Sequence, residues 1–251
     1  MSHELAGRIA LVTGGSRGIG RACCQRLAEA GATVVVNYCT NEAAALETLQ
    51  QIVEAGGKAV QVQADVSLER DVNRMVGWVE QEVGPIDLLV NNAGVFDFLP
   101  HDQTTPEIWQ RAIDVNLTGA YYVTWAVKAG MIERQFGRIV NVASIAALRA
   151  RSMAIAYSVS KAGMVAMTKG LAEALAGANV RVNAVAPGLI ETEIHQSIDR
   201  DRLDQIVANS PIQRMGTPEE ISEFVLFLLS ERSSFMTGQT LVASGGRVML
   251  P

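Results

Sequence analysis

The sequence predicts an α/β protein: one doubly wound parallel sheet with helices on both faces. Short, β-branched apolar segments alternate with longer helical segments from one end of the chain to the other, which is the pattern of a parallel sheet joined by crossover helices. No linker or change of composition divides the chain. Hydrophobic residues make up 49% of its 251 residues, enough for a large core. We therefore predict a single domain over residues 1–251.

Local signals give the bounds of each element. The glycine pair at residues 56–57 stops the second helix, and Gly84-Pro85 breaks the chain before the fourth strand. Pro106 suits the first position of a long helix, and Ser67 is a plausible N-cap for the helix before it. The predicted strands are residues 8–13, 33–38, 58–63, 86–90, 137–142, 180–185 and 239–242. The predicted helices are residues 18–30, 41–55, 67–83, 106–134, 152–176 and 217–229.

One stretch, residues 187–210, is predicted to be irregular. An irregular segment of this length in a compact domain is usually functional. Within it, the run of Asp and Arg at residues 199–204 is interpreted as a solvated helix face rather than a site.

Composition excludes several classes of function. The net charge of −5 disfavours a nucleic-acid partner, which would need a clustered basic surface. No window reaches the ~20 apolar residues of a membrane span, and the N-terminus lacks a basic-then-apolar signal, so we expect a cytoplasmic protein without a membrane partner. Three cysteines, two of them adjacent, make a poor disulfide framework. The three histidines lie near no ligand cluster, so no metal site is expected.

A glycine-rich turn follows the first predicted strand and opens the first helix. The run Thr-Gly-Gly-Ser-Arg-Gly-Ile-Gly at residues 13–20 lets a pyrophosphate approach backbone N–H groups at a helix N-terminus. An NAD-specific unit usually carries an acid near the end of the second strand, to hold the ribose 2′-hydroxyl. Here Asn37, Tyr38, Cys39 and Thr40 stand there instead. Arg17 in the turn can bind a 2′-phosphate, so we predict NADP(H) in preference to NAD(H).

Tyr157 and Lys161 are four residues apart on a predicted helix and therefore share one face. A lysine cation favours the phenolate and lowers a tyrosine pKa, so the pair is predicted to be a general acid/base. Ser144 follows the fifth strand and reaches the same crevice. The Asn-Asn-Ala-Gly run at residues 91–94 ends the fourth strand, where a ligand crevice or a plain turn fits equally. Asn116 lies inside a predicted helix, where asparagine has no propensity advantage.

Together these elements resemble the short-chain dehydrogenase/reductases along essentially the whole chain. The matching residues occur in the family's order: the glycine turn at 13–20, Asp65-Val66, residues 91–94, Asn116, Ser144, Tyr157, Lys161, Asn183, Pro187-Gly188 and residues 190–192. The resemblance implies a Rossmann-type sheet of seven strands and a nicotinamide cofactor. Cofactor contacts are expected from Gly14, Ser16, Arg17, Gly18, Ile19, Gly20, Asn37, Thr40, Asp65, Val66, Asn92, Gly94, Tyr157, Lys161, Pro187, Ile190 and Thr192.

The resemblance also implies catalytic roles. Tyr157 would exchange the proton with the substrate oxygen, and Ser144 would orient that oxygen. Lys161 would lower the Tyr157 pKa and bind the nicotinamide ribose. Asn116 would hold a water that joins Lys161 to solvent, and Asn183 would be structural.

Within the family, the chain is most similar to the 3-oxoacyl-[acyl-carrier-protein] reductases. This implies reduction of a thioester-bound or small ketone in fatty acid metabolism, acyl carrier protein as a candidate partner, and a homotetramer. Two departures bear on this. An acidic carrier protein would need a basic docking surface, but the stretch before the fifth strand carries Glu133 beside Arg134. Near the C-terminus, Ala243-Ser244 replaces the usual Val-Asp or Val-Asn pattern before Gly-Gly, which affects the expected contacts between subunits more than the chemistry.

The functional alternatives stay open at this point. A dehydrogenase of a sugar, polyol or other secondary alcohol fits the same residues, and a non-catalytic nucleotide sensor is the remote alternative. Arg149 and Arg151, between Ser144 and Tyr157, either bind an anionic substrate or face outward. Phe96 and Phe98 suggest an apolar wall or packing beneath a loop.

Overall fold

The structure, a computed structural model, describes residues 3–193 and 199–249. Among these residues, seven strands form one sheet in the order β3-β2-β1-β4-β5-β6-β7, and every pair is parallel. The predicted fold class is therefore confirmed. The strands are β1 (Ile9–Val12), β2 (Thr33–Tyr38), β3 (Lys58–Gln63), β4 (Leu88–Asn91), β5 (Gly137–Val142), β6 (Val180–Pro187) and β7 (Thr240–Ala243).

Helices cover both faces of the sheet. The α-helices in the described ranges are α1 (Gly18–Glu29), α2 (Glu42–Glu54), α3 (Glu69–Glu82), α4 (Pro106–Ile113), α5 (Gly119–Glu133), α6 (Ile155–Leu175), α7 (Arg200–Ala208) and α8 (Pro218–Leu229). One hydrophobic cluster joins α1, α2 and α8 to one face, and a second joins α3, α5 and α6 to the other.

Strand periodicity explains the two clusters. Side chains alternate between the faces of a strand, so Ala10 and Val12 of β1 belong to the first cluster, and Ile9 and Leu11 to the second. All four are buried. A strand buried on both faces has to be apolar throughout, as the sequence of β1 is.

Three predicted elements differ from the structure. The N-cap of α3 is Leu68, and Ser67 instead donates its backbone N–H and hydroxyl to Asp65, closing a local turn that competes with capping. The predicted long helix contains a π-helical turn, Asp114–Thr118, between α4 and α5. The predicted irregular stretch contains α7, whose N-cap Asp199 accepts from two backbone N–H groups, and residues 194–198 of that stretch lie outside the described residues. The Asp and Arg run lies largely on this helix, as interpreted.

The strand order reverses direction between β1 and β4, because β2 and β3 extend to one side of β1 and β4 to β7 to the other. In open parallel sheets, ligands bind beside the carboxyl ends of the strands at such a point. The glycine turn and Ser144 follow carboxyl ends here, whereas residues 91–94 begin at the last residue of β4 and Pro187 is the last residue of β6. No helix in the described ranges is long and apolar enough to span a membrane.

Candidate active site

Tyr157, Lys161 and Ser144 meet at a cavity of about 370 Å³ beside the carboxyl ends of β4, β5 and β6. Tyr157 is half-buried on α6, and the edge of its ring meets Phe96, with the ring centres 4.9 Å apart. Lys161 is buried, and its Nζ lies 5.8 Å from the centre of the Tyr157 ring. The structure thus brings the three predicted catalytic residues to one surface.

Lys161 and Ser144, the two polar residues beside Tyr157, are each held by a hydrogen bond to the backbone. Lys161 Nζ donates to Val142 O at 2.7 Å. Ser144 caps a single 3₁₀ turn, and its Oγ accepts from the Ala146 N–H at 3.1 Å. A hydroxyl that accepts in this way keeps its own proton free to donate. Ser144 can therefore donate toward a substrate oxygen in the cavity.

Burial sets the protonation of the acid/base pair. It raises the pKa of Tyr157, and hydrogen bonding with Ser144 lowers that pKa by a smaller amount. Burial also lowers the pKa of Lys161 to about 8. Both shifts have the same cause, because withdrawal from water disfavours the charged form of each group. The effect of Lys161 on the Tyr157 pKa stays a prediction.

Asn116 lies in the π-helical turn and is fully buried. Its Oδ1 accepts from the Val95 N–H at 2.7 Å, and its Nδ2 donates to Val95 O and to Ser160 Oγ, both at 3.0 Å. Asn116 therefore ties the loop after β4 to α6, the helix that carries Tyr157 and Lys161. π-Turns within helices are frequent at functional sites, and the extra residue of this one is not visible as a sequence pattern.

The glycine turn forms a close backbone cradle. Gly14 and Gly18 adopt φ values of +61° and +52°, which favour glycine. A Cβ on Gly20 would collide with Gly14 O. Asn92 Nδ2 donates to Thr13 O and Gly14 O at 3.0 Å and so fixes the turn to β4.

The start of α1 is free for an anion. Its N-cap, Arg17, makes no side-chain capping hydrogen bond, which leaves the first N–H groups, including that of Ile19, for a ligand. Ile19 also lines the cavity. Because bare backbone and an uncapped helix end suit a pyrophosphate, these residues fit a dinucleotide cofactor.

Arg17 does not point toward the end of β2. Its Nη1 lies 2.6 Å from Glu193 Oε2, and both side chains are more than half exposed. Ser16 is buried, and its carbonyl accepts from Arg21 and Thr48. Ser16 thus holds the turn to α2, whereas Arg17 links it to the segment after β6.

Four residues were predicted to contact the adenosine end of the cofactor, and they differ in burial and in hydrogen bonding. Asn37 is buried; its Oδ1 accepts from the Gly14 N–H at 3.2 Å, and its Nδ2 donates to Ala64 O at 3.1 Å. Its side chain therefore supports the glycine turn, and its expected contact with the cofactor stays a prediction. Thr40 is exposed after β2. Asp65 accepts from Ser67, and Val66 is buried.

At the other end of the crevice, Pro187, Ile190 and Thr192 line the cavity. A Cβ on Gly18 would lie 3.1 Å from Thr192 Cγ2, so the segment after β6 lies over the glycine turn. Gly94 adjoins the catalytic groups, because a Cβ there would lie 3.2 Å from Asn116 Oδ1 and 3.7 Å from Lys161 Nζ. Asn183 bonds to Met236 O and the Gln239 N–H, a structural position as expected.

The cavity also has lining residues that the sequence did not predict: Met153, Arg202, Ile206 and Arg247. Arg202 lies on α7, which had been expected to be irregular, and Arg247 follows β7. No local motif marks either residue. Arg151, Phe96 and Phe98, which sequence left open, do line the cavity.

The parallel sheet, the glycine turn and the cavity beside them together define the class of protein: an oxidoreductase that binds a nicotinamide dinucleotide. Residues 14–247 match the family model described as enoyl-(acyl carrier protein) reductase. The chain belongs to the short-chain dehydrogenase/reductase family.

Relatives and solved structures match over nearly the whole chain. The chain is 42% identical to acetoacetyl-CoA reductase of Allochromatium vinosum, over 96% of this chain and 99% of that one. It is 39% identical to 3-oxoacyl-[acyl-carrier-protein] reductase of Synechocystis, over 98% of each.

Two crystal structures have closely similar folds. A putative gluconate dehydrogenase from Agrobacterium tumefaciens has a TM-score of 0.94 at 34% identity, over 99% of this chain and all of that one. A putative NAD(P)-dependent gluconate 5-dehydrogenase from Beutenbergia cavernae, with NADP bound at low occupancy, has a TM-score of 0.93 at 33% identity, over 98% of each. Ketone or alcohol oxidoreduction is thus the shared activity, whereas the named substrates differ.

Proposed function

We propose that this chain is an NADP(H)-dependent oxidoreductase that reduces a ketone to a secondary alcohol, with a 3-oxoacyl thioester as its preferred substrate. One observation supports this most directly: Tyr157, Ser144 and Lys161 face one cavity at the same sheet edge as the glycine turn. An acid, an orienting hydroxyl and a cation beside a dinucleotide cradle are what ketone reduction requires.

In this mechanism, the bound nicotinamide supplies the hydride, and the protein places the ketone and provides the proton. Tyr157 donates its phenolic proton to the ketone oxygen, and burial favours the protonated form that this step needs. Ser144 donates to the same oxygen and orients it. Lys161, next to the Tyr157 ring, stabilises the phenolate that remains and binds the ribose hydroxyls.

Asn116 contributes in this scheme mainly by position. Its amide N–H groups are engaged by Val95 and Ser160. A carbonyl oxygen can accept two hydrogen bonds, so Oδ1 keeps one acceptor site for a water near Lys161. A proton path from Lys161 to solvent would pass through that water.

NADP(H) is proposed because no carboxylate stands at residues 37–40, and because Arg17 can reach an added phosphate. The Arg17–Glu193 pair is exposed, and exposed ion pairs contribute little, so a 2′-phosphate can displace it. The solved relative with bound NADP agrees with this choice.

A thioester is proposed as the substrate because the two curated relatives named above act on such compounds by name. Phe96 and Phe98 give the cavity the apolar wall that an acyl chain needs. Arg134, the cation that the sequence offered for docking a carrier protein, donates to Ile86 O at 2.8 Å. This engagement favours a CoA thioester over one linked to acyl carrier protein.

The second candidate is a dehydrogenase of a sugar acid, sugar or polyol. The solved relatives carry gluconate dehydrogenase titles, which favours this reading. The non-catalytic sensor is disfavoured by the complete set of Asn116, Ser144, Tyr157 and Lys161.

We also infer a homotetramer. Large apolar side chains are exposed on α4, α5 and α6, namely Trp109, Tyr121, Trp125, Ile155 and Val159, and exposed apolar patches mark contact surfaces. Light scattering on the purified protein should give four times the mass of one chain, 26.9 kDa.

The assay that tests the function follows NADPH consumption with acetoacetyl-CoA and with a panel of ketones and polyols. We expect stoichiometric oxidation with acetoacetyl-CoA; no turnover of any compound with either cofactor would overturn the proposal. Arg17→Ala should raise the KM for NADPH about ten-fold or more while leaving that for NADH nearly unchanged. Equal effects on both cofactors would contradict the 2′-phosphate contact.

A further inference from the structure

Three arginines from separate parts of the chain line the catalytic cavity. Arg151 precedes α6, Arg202 lies on α7, and Arg247 follows β7. Among the described residues that line this cavity, none is Asp or Glu. The cavity wall is therefore cationic in a chain whose net charge is −5.

These arginines lack the carboxylate partners that most other arginines in the described ranges have. Arg21, Arg138 and Arg214 each lie within 4.0 Å of a glutamate. Within residues 3–193 and 199–249, no carboxylate lies within that distance of Arg151, Arg202 or Arg247. Acidic residues outnumber basic ones in this protein, yet none of the described carboxylates lies within ion-pair distance of these three cations.

Local contacts hold each arginine in place. The Arg151 N–H donates to Ser158 Oγ at 3.3 Å, and the Arg151 carbonyl accepts from the Ala154 N–H at 3.0 Å. The Arg202 guanidinium lies 4.9 Å from the centre of the Phe98 ring, a cation–π distance.

A closed turn positions Arg247. Its N–H donates to Ser244 O at 3.2 Å, and Ser244 Oγ bonds to both the N–H and the carbonyl of Val248. Gly245 and Gly246 adopt positive φ values in this turn, and Gly246 packs against Pro211 after α7. Ser244, the departure noted in the sequence, thus closes the turn that brings Arg247 to the cavity.

The cations disfavour one another in the unliganded chain. Burial and the nearby Arg149 charge lower the pKa of Arg151. Burial and the charges of Arg151 and Arg149 lower that of Arg247. An anion bound among these arginines would offset both the burial of their charges and their mutual repulsion. Arginine binds carboxylate and phosphate oxygens in paired hydrogen bonds.

We propose that Arg151, Arg202 and Arg247 bind an anionic group of the substrate, a carboxylate or a phosphate carried on the part remote from the reacting carbonyl. This rests on the proposed function for the identity of the reacting site and defines its substrate class. The phosphates of a CoA thioester and the carboxylate of an oxo sugar acid share this chemistry.

The kinetic test uses two pairs of ketones that differ in the anion. Acetoacetyl-CoA is compared with acetoacetyl-N-acetylcysteamine, which lacks the phosphates. The compound 5-keto-D-gluconate is compared with L-sorbose, which carries a hydroxymethyl group in place of the carboxylate. Arg151→Gln, Arg202→Gln and Arg247→Gln should each raise the KM for the anionic member of the favoured pair about ten-fold or more. They should change the KM for its neutral partner less than about three-fold. The pair affected identifies the source of the anion.

Arg200→Gln is the matched control, because Arg200 begins the same helix as Arg202 but does not line the cavity. It should leave both KM values unchanged. Equal losses for neutral and anionic members, or the same loss in Arg200→Gln, would overturn the proposal.

A binding measurement keeps the two proposals separable. With NADP⁺ saturating, calorimetry should detect CoA but not pantetheine, or D-gluconate but not D-glucitol, and the triple Arg→Gln variant should lose that binding. Anion binding without any turnover would refute the proposed reaction and keep the anion site. If the wild-type protein turns over neutral and anionic ketones with similar KM values, the anion site is refuted and the proposed reaction stands.

Discussion

On the cofactor side of the crevice, two asparagine side chains bond to the protein's own backbone. On the substrate side, three arginines line the cavity with no described carboxylate within 4.0 Å. Asn37 and Asn92 both bond to the glycine turn. Arg202 and Arg247, by contrast, make no ion pair with a described residue. The asparagines of the cofactor side are thus bonded within the protein, whereas the arginines of the substrate side remain able to bind an anionic ligand.

This difference separates two tasks. A cofactor shared by many enzymes is held largely by backbone groups, so the side chains around it are needed to fix the backbone. A particular substrate has to be distinguished by side chains, and side chains that recognise charge remain unpaired until it binds. Tyr157 lines the same cavity as the three arginines.

Replacing Tyr157 should give the largest effect. Tyr157→Phe removes the proton donor but keeps the ring that packs on Phe96. We expect kcat to fall about 10²–10⁴-fold, the usual contribution of a positioned general acid. NADPH binding, measured by fluorescence titration, should stay unchanged. A variant that retains more than a tenth of the wild-type kcat would remove Tyr157 from its assigned role.

Lys161 gives a pH-dependent effect on stability. Its pKa is lowered to about 8 in the folded chain from an ordinary 10.5, so the unfolded chain binds the proton more tightly. The penalty of burying the charge is fully present below about pH 8 and is lost as pH rises toward 10.5. Relative to Lys161→Met, the wild-type free energy of unfolding should therefore rise across this window, by on the order of 3 kcal/mol.

Urea unfolding of both proteins at pH 7.5 and pH 10 measures this difference. Lys169→Met, an exposed lysine on the same helix α6, is the control. If the difference between wild type and Lys161→Met is the same at both pH values, Lys161 is not desolvated as its burial indicates.

The sequence predicted the cofactor side more completely than the substrate side. Short contiguous runs encode the glycine turn and the Asn-Asn-Ala-Gly turn, and the rule that parallel strands end at one edge brings them together. Tyr157 and Lys161 were likewise predictable, because helical spacing alone places them on one face. These inferences need only local pattern and topology.

The remaining features depend on tertiary contacts. Arg247 reaches the cavity only because a turn closed by Ser244 packs on Pro211. The π-helical turn around Asn116 adds one residue to a helical repeat without changing its hydrophobic pattern. The direction of the Tyr157 pKa shift depends on burial, which outweighs the hydrogen bond with Ser144. No motif reports any of these.

The smallest predicted effect compares two buried asparagines. Asn37 supports the glycine turn through Gly14, and Asn183 joins β6 to the segment before β7 through Met236 and Gln239. Asn37→Ala and Asn183→Ala each leave buried backbone groups without partners, so each should cost about 1–3 kcal/mol in the free energy of unfolding. Because only Asn37 bonds to the turn, only its loss should also raise the KM for NADPH, by a few-fold. Urea unfolding and steady-state kinetics on the same preparations measure both quantities. A matching rise in the KM for NADPH in Asn183→Ala would mean that the two sides of the crevice are coupled through the sheet.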